Sequence, residues 1–348
     1  MMTPAGHPIS KAITGTIMTS ILRLLCAVLL GTVTVASCSL ADGSTPDDAP
    51  ITLGFSAWPG WFPWEVAAEK GFFLKNGITV NLRYYDNYTD SLTALTDGDI
   101  DANSQTLNDT LSSVAEGSRE TIVLVNDNST GNDQIIARPG IRSMADLKGK
   151  TVAAEEGTVD HYLLMLALKQ AGLTAGDVRF VPLATDAAAE QFVAGKVDAV
   201  GVFAPFTTIA LKRPGSRALA TSRDFPGAIP DHLVVSGAFL DRRPDAVQAL
   251  VKTWFDTITW ISAHRAEAIQ IMAKRAGVSP AEYVSYDAGT KIFSLEDNLR
   301  AFEPGDTPAN LSYQAKSISD FLLESGLTQI RPRLDGLFDP RFVNALRR

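Results

Sequence analysis

PWEVAAEKGFFLKNGITVNLRYY, residues 63–85, reads as a helix from Pro63 to Asn76 that starts on proline and stops at Gly77, followed by a strand from Ile78 to Tyr84. The same texture extends in both directions. Ile51–Phe55 reads as a strand before it. After it come a short helix, Asp90–Thr96, a strand, Asp99–Ala102, a helix, Asn108–Glu116, ended by Gly117, and a strand, Thr121–Val125. A second series follows: strand Thr151–Ala154, apolar helix Asp160–Ala171 capped by Gly172, strand Val178–Pro182, helix Ala187–Ala194 and strand Ala199–Val202. Beyond Asp231, Arg243–Ala276 is a long helical stretch containing Trp254 and Trp260, with further helices to the C-terminus. Short strands alternating with amphipathic helices predict an α/β fold with a parallel or mixed sheet.

The N-terminal segment has another character. Two basic residues, Lys11 and Arg23, precede a short apolar run, Leu24–Val35, and no acid occurs before Asp42. The run ends in Val35-Ala36-Ser37-Cys38. This is the pattern of a secretory signal, too short for a comfortable membrane span. With cysteine directly after small residues it resembles a bacterial lipoprotein signal, which implies lipidation of Cys38 and removal of residues 1–37. Residues 38–50 then form a polar, Pro/Gly-containing leash.

The chain carries a net charge of −8, and removal of two basic residues with the signal makes it about −10. That balance argues against nucleic acid or an anionic membrane surface as partner. The two cysteines, Cys26 and Cys38, both lie in the signal region, so the body has no disulfide, thiol nucleophile or cysteine metal site. A chain of 348 residues exceeds one comfortable core, so two lobes are expected.

Four phrases, in this order, resemble one family. They are residues 63–85, LTALTDGDIDANSQT (92–106), IRSMADLKGKTVAAEEGTVDHYLL (141–164) and FVAGKVDAVGVFAPFTTIALKR (192–213). Together they resemble the substrate-binding proteins of the nitrate/sulfonate/taurine and thiamine-precursor group, with Phe203 standing where that group often has Trp. The resemblance implies a type II periplasmic-binding-protein fold: two α/β lobes joined by two crossover strands, with extra C-terminal helices on the first lobe. The crossings are expected near Ala137–Gly140 and Pro230–Val234, giving lobe one as 51–137 plus 232–348 and lobe two as 138–231. It also implies a lipid-anchored, extracytoplasmic monomer without cofactor, whose partners are a small-molecule solute, an ABC permease and its ATPase.

In open α/β sheets ligands gather at the carboxyl ends of strands. After the first strand come Trp58, Trp61 and Trp64, with Pro59, Gly60 and Pro63 keeping the segment irregular. Acids recur at comparable places: Asp109, Asp133, Asp160 beside His161, and Asp231 beside His232. Trp58, Trp61, Trp64, Asp109, Asp133, Asp160, His161, Phe203 and Asp231 are the candidate ligand residues. Each has a second explanation, as core aromatic, helix cap or turn residue. These regions offer little Lys or Arg, whereas an anion site wants cationic side chains. Carboxylates beside aromatic faces favour a compact nitrogen-rich cation such as guanidinium or an amine. A zwitterion or anion (taurine, sulfonate, nitrate) and a thiamine-precursor aminopyrimidine remain alternatives.

A ligand-sensing lipoprotein docking a receptor is a second class. An enzyme is a third, with His161 and His232 as conceivable bases, but the body lacks cysteine and the HExxH, GxSxG and P-loop spacings. No spacing resembles a metal-ligand loop.

Overall fold

The computed structural model describes residues 49–347. The signal segment and Cys38 lie outside the described residues, as does most of the leash. No described helix is long and apolar enough to cross a membrane.

Along the chain run β1 (Ile51–Ser56), α1 (Pro63–Glu69), α2 (Phe72–Lys75), β2 (Val80–Tyr85), α3 (Tyr88–Asp97), β3 (Ala102–Thr106), α4 (Leu107–Ala115), β4 (Glu120–Ser129) and β5 (Asp133–Ala137). Next come β6 (Thr151–Ala154), α5 (Val159–Gln170), β7 (Arg179–Pro182), α6 (Thr185–Val193), β8 (Ala199–Phe203), α7 (Phe206–Ala210), β9 (Arg217–Thr221) and β10 (Pro230–Ser236). The chain closes with α8 (Gly237–Arg242), α9 (Pro244–Ala263), α10 (Arg265–Ala276), α11 (Pro280–Asp287), β11 (Thr290–Ile292), α12 (Leu295–Ala301), α13 (Leu311–Ser325) and α14 (Arg341–Asn344).

These strands form two mixed sheets. The first has the order β11-β4-β10-β3-β1-β2 and the second β7-β6-β8-β5-β9. In the first, β1 runs parallel to β2 and β3, and β10 runs antiparallel to both β3 and β4. In the second, β6 is parallel to β7 and β8, and β5 is antiparallel to β8 and β9. The chain thus passes from one sheet to the other twice, between β4 and β5 and between β9 and β10.

The second passage ends at Pro230. The first needs correction: it falls between Ser129 and Asp133, before Ala137–Gly140, so Asp133–Ala137 belongs to the second sheet. The reason is that β4 does not stop at Val125. Asp127 and Asn128 stay in the ladder opposite Asp231 and Pro230, and Asp133 then pairs with Phe203.

Two expected helices are divided. Gly71, at φ +70, separates α1 from α2, a conformation that only glycine adopts without strain. His264 breaks the long C-terminal helix into α9 and α10 with a non-helical φ of −126. The expected strand Asp99–Ala102 begins only at Ala102, although Asp101 already ties itself to β1: its N–H donates to Thr52 O and its carboxylate accepts from Thr52 N.

Helix α9 seals the first sheet's helical layer. Trp254 on α9 meets Trp64 on α1 at 4.8 Å between ring centroids, and Phe73 stacks on Trp64 at 6.0 Å. Both tryptophans are fully buried. The Trp64 indole N–H donates to Ser104 Oγ at 2.9 Å, whereas the Trp254 indole N–H is buried without a partner.

Candidate functional site

The loop after β1 turns sharply because Trp58 N–H donates to Ser56 O at 2.8 Å and Trp61 N–H to Trp58 O at 3.0 Å. The Tyr283 hydroxyl holds it from outside by donating to Pro59 O at 2.9 Å. Gly60 is required there: a Cβ would lie 2.0 Å from a carboxylate oxygen of Asp127. That close approach lets Trp58 Nε1 donate to Asp127 Oδ1 at 3.0 Å.

Four aromatic rings close on one another around a cavity. Centroid separations are 6.3 Å for Trp58–Trp61, 5.5 Å for Trp61–Tyr88, 6.2 Å for Tyr88–Phe203 and 6.3 Å for Phe203–Trp58. Trp58, Trp61 and Tyr88 come from the first sheet's side and Phe203 from the end of β8 in the second, so the box straddles both sheets. The cavity between them is tight, with about 10 Å³ open to the centre of a water-sized sphere, and Thr106, Asp133, Val159, Ile229 and Asp231 complete its wall. All nine wall residues are at most 5% exposed, so a solute inside would be sealed from water.

Tyr88 is fixed at its hydroxyl, which donates to Asp109 Oδ2 at 2.8 Å and accepts from Thr106 N at 3.1 Å. Asp109 also accepts from Thr106 Oγ1 at 2.6 Å and Asn108 Nδ2 at 2.8 Å. Its carboxylate is therefore occupied with positioning Tyr88 and the start of α4. Burial nevertheless pushes it up to about 7, against the opposing pull of these hydrogen bonds.

Four other buried acids each keep one oxygen unanswered. Asp133 Oδ2, Asp231 Oδ2, Asp127 Oδ2 and Asp160 Oδ1 are buried without a hydrogen-bond partner. Burial raises Asp127 and Asp133 to about 7 each. Asp231 is pushed well above the carboxylate range by burial and by the charges of Asp127 and Asp133. Asp160 rises for the same reasons, burial first and the Asp133 charge second. The Thr185 hydroxyl lies 2.7 Å from Glu155 Oε2 and 2.8 Å from Asp160 Oδ2. With one hydrogen it donates to Glu155 and accepts from a protonated Asp160.

A second chamber, equally tight at about 10 Å³, adjoins the first, sharing Tyr88 and Phe203 and lined further by Ser56, Ala57, Asp86, Asn87, Glu155, Ala184, Thr185, Asp186 and Phe206. Neither wall contains a Lys or Arg. Outside it, a wider vestibule is lined by Asp86, Asp186, Glu282 and Lys212 among others. No group of His, Cys, Asp or Glu among the described residues has the arrangement to hold a metal ion.

Of the candidates, Trp58, Trp61, Asp133, Phe203 and Asp231 meet at the aromatic cavity. Asp109 and Asp160 stand behind its wall. Trp64 and His161 belong elsewhere, which corrects their place in the set. Trp64 is the first-turn residue of α1 and points into the helical layer. His161 stacks on Phe180 at 4.3 Å on the outer side of α5, because neighbours on a helix diverge by about 100° and Asp160 takes the inward position. His232 is fully buried with both ring nitrogens unpartnered, and burial lowers it to about 3.

Asp127, Tyr88, Glu155 and Ser56 were not anticipated. Glu155 and Ser56 could have been, since each sits at the carboxyl end of a strand. Asp127 lies beyond Val125, where the expected strand ended, and nothing local distinguishes Tyr88.

Comparison with known proteins agrees with this architecture. A binding protein of Brucella abortus is 28% identical over 281 residues, covering 79% of this chain and 86% of its own. The taurine-binding periplasmic protein of Escherichia coli is 29% identical over 193 residues, 54% of this chain and 59% of its own. The alkanesulfonate-binding protein SsuA of Xanthomonas axonopodis pv. citri, solved bound to MOPS, superposes with a TM-score of 0.71 at 19% identity. That match covers 85% of this chain and all of the other, and shows the two-lobed periplasmic-binding-protein fold. The NMT1-like family matches residues 44–277, and the chain belongs to that family.

Proposed function

We propose that the protein is an extracytoplasmic solute-binding protein that captures a small cation bearing N–H donors and presents it to an ABC permease and its ATPase. The observation that carries the cationic part is the pair of unpartnered buried oxygens, Asp133 Oδ2 and Asp231 Oδ2, in an aromatic cavity whose wall has no Lys or Arg. Buried acceptors left without donors are costly, by about 1–3 kcal/mol each. A guanidinium or ammonium supplies the missing donors, and the ring faces add cation–π attraction of about 0.5–2 kcal/mol. Because the cavity wall comes from both sheets, such a solute binds the closed arrangement better than an open one and so favours closure. An affinity near micromolar, about −8 kcal/mol, suits capture followed by release.

Capture is passive in this reading, and the protein acts as a monomer. Tethering through a lipidated Cys38 follows from the signal segment. Loss of acyl labelling in Cys38→Ser would support it, and unchanged labelling would contradict it.

A second reading keeps the transport role with an anion or zwitterion such as taurine or a sulfonate. It draws on the names of the relatives and on Trp61 Nε1–H, a buried donor without an acceptor. A thermal-shift panel separates the two. A micromolar solute at about 1,000 times its dissociation constant adds roughly 4 kcal/mol, several degrees in Tm. Shifts with guanidinium, agmatine or simple amines support the cation; shifts with taurine, alkanesulfonate or nitrate alone overturn it.

A further inference from the structure

The acids are strung along two adjoining chambers rather than gathered in one. The inner chamber has Asp133 and Asp231 in its wall; the outer has Glu155, Asp86 and Asp186. Each also holds a buried oxygen without a partner: Asp133 Oδ2 and Asp231 Oδ2 inside, Ser56 Oγ outside, where Ser56 is 1% exposed. Asp160 links the two sets from behind, through the Thr185 hydroxyl that it shares with Glu155. Glu155 in turn spans the cleft, accepting from Thr89 on α3 as well as from Thr185 N and Oγ1.

The partition between the chambers is made of Tyr88 and Phe203. Tyr88 is tied at its hydroxyl to Asp109. Phe203 is held only by ring contacts, with Trp58, Tyr88 and Phe206. One ring of the partition is therefore anchored by a hydrogen bond, and the other by packing alone. A single compact cation in the inner chamber leaves the buried Ser56 hydroxyl of the outer one unanswered and the Glu155 charge without a counter-charge, which is the unfavourable outcome for buried polar groups.

We propose, on the basis of the cation reading above, that the favoured solute is two-ended: a short aliphatic chain with an ammonium or guanidinium group at each end. One end lies against Asp133 and Asp231 in the aromatic box. The other lies against Glu155 and Ser56 in the outer chamber. The chain passes between Tyr88 and Phe203.

Calorimetric titration of the soluble body with putrescine, cadaverine and agmatine, against butylamine and pentylamine, tests this. Each two-ended cation is expected to bind at least about tenfold tighter than its one-ended analogue, with an optimum in chain length. Glu155→Gln is expected to collapse that ratio towards one, and Ser56→Ala to lower it less; the serine variant carries the test if the glutamine variant unfolds. Equal affinities for one-ended and two-ended cations in the parent, or a ratio that survives both substitutions, overturn the two-ended solute and leave the simple cation standing. A parent that binds none of these amines overturns both readings.

Discussion

Asp127 and Asp231 stand opposite each other across the ladder of β4 and β10, both buried, and burial together with the Asp127 charge holds Asp231 well above the ordinary carboxylate range. Two carboxylates so placed, without a cation, are a poor arrangement for stability and a good one for receiving positive charge. Asp231→Asn removes the repulsion and leaves an amide that can donate to Asp127. It is expected to raise the melting temperature of the solute-free protein at pH 8, by about 1 kcal/mol in stability, while weakening a cationic solute about tenfold or more. Thermal melts and titrations of the same preparation check both halves. A variant that is less stable and binds equally well would contradict the arrangement.

The same acids give stability a sign with pH. Asp109, Glu120, Asp127 and Asp133 stand near 7 in the fold, above the unfolded value. The folded state therefore holds more protons than the unfolded one. Stability from these groups is complete below about pH 4 and is lost as pH rises through 7. The solute-free melting temperature should fall between about pH 5 and 8, where carboxyls of ordinary or depressed pKa are already ionised in both states. Affinity for a cation should rise over the same interval, with release of protons, and calorimetry in two buffers of different ionisation heat measures that release.

Two tryptophans six residues apart should behave oppositely. Trp58→Phe loses the bond to Asp127 and one side of the aromatic box, so solute affinity falls with little change in fold. Trp64→Phe loses the Ser104 bond and core packing, so stability falls by about 1–2 kcal/mol with affinity unchanged. Denaturant titration and solute titration on each variant distinguish them.

The mouth of the cleft carries exposed Asp86 on one side and exposed Asp186 on the other, with exposed Lys212 in the same vestibule. A cation approaching this mouth is steered by their field. Asp86→Asn with Asp186→Asn should slow association about threefold or more and flatten its salt dependence, and Lys212→Gln should speed it. Stopped-flow tryptophan fluorescence reads the rates. Unchanged association in both variants would mean that the solute arrives elsewhere.

Much of the layout was legible in the chain. Pro63, Gly77 and the alternation that follows mark the helix-to-strand passage, and the Pro/Gly-broken tryptophan segment marks a loop at a strand's carboxyl end. Asp133 and Asp231 were legible as acids at strand edges. What escaped depends on pairing between distant segments. The strand reads as ending at Val125, but Pro230 and Asp231 hold Asp127 and Asn128 in the ladder beyond it. That one tertiary contact moved both the first crossing and the inner edge of the site. Trp64 was grouped with its neighbours by spacing, but Pro63 starts a helix at that point and turns Trp64 away from the loop. Tyr88 owes its place to Asp109 and Thr106, which no local pattern joins to it.

Titration of the soluble body, residues 39–348, with agmatine and with taurine at pH 8 tests the central claim most directly. Micromolar binding of agmatine, lost in Asp231→Asn, with no heat from taurine, is the predicted result. Micromolar binding of taurine with none of agmatine would contradict it, and would make the buried acids structural partners of an anion site.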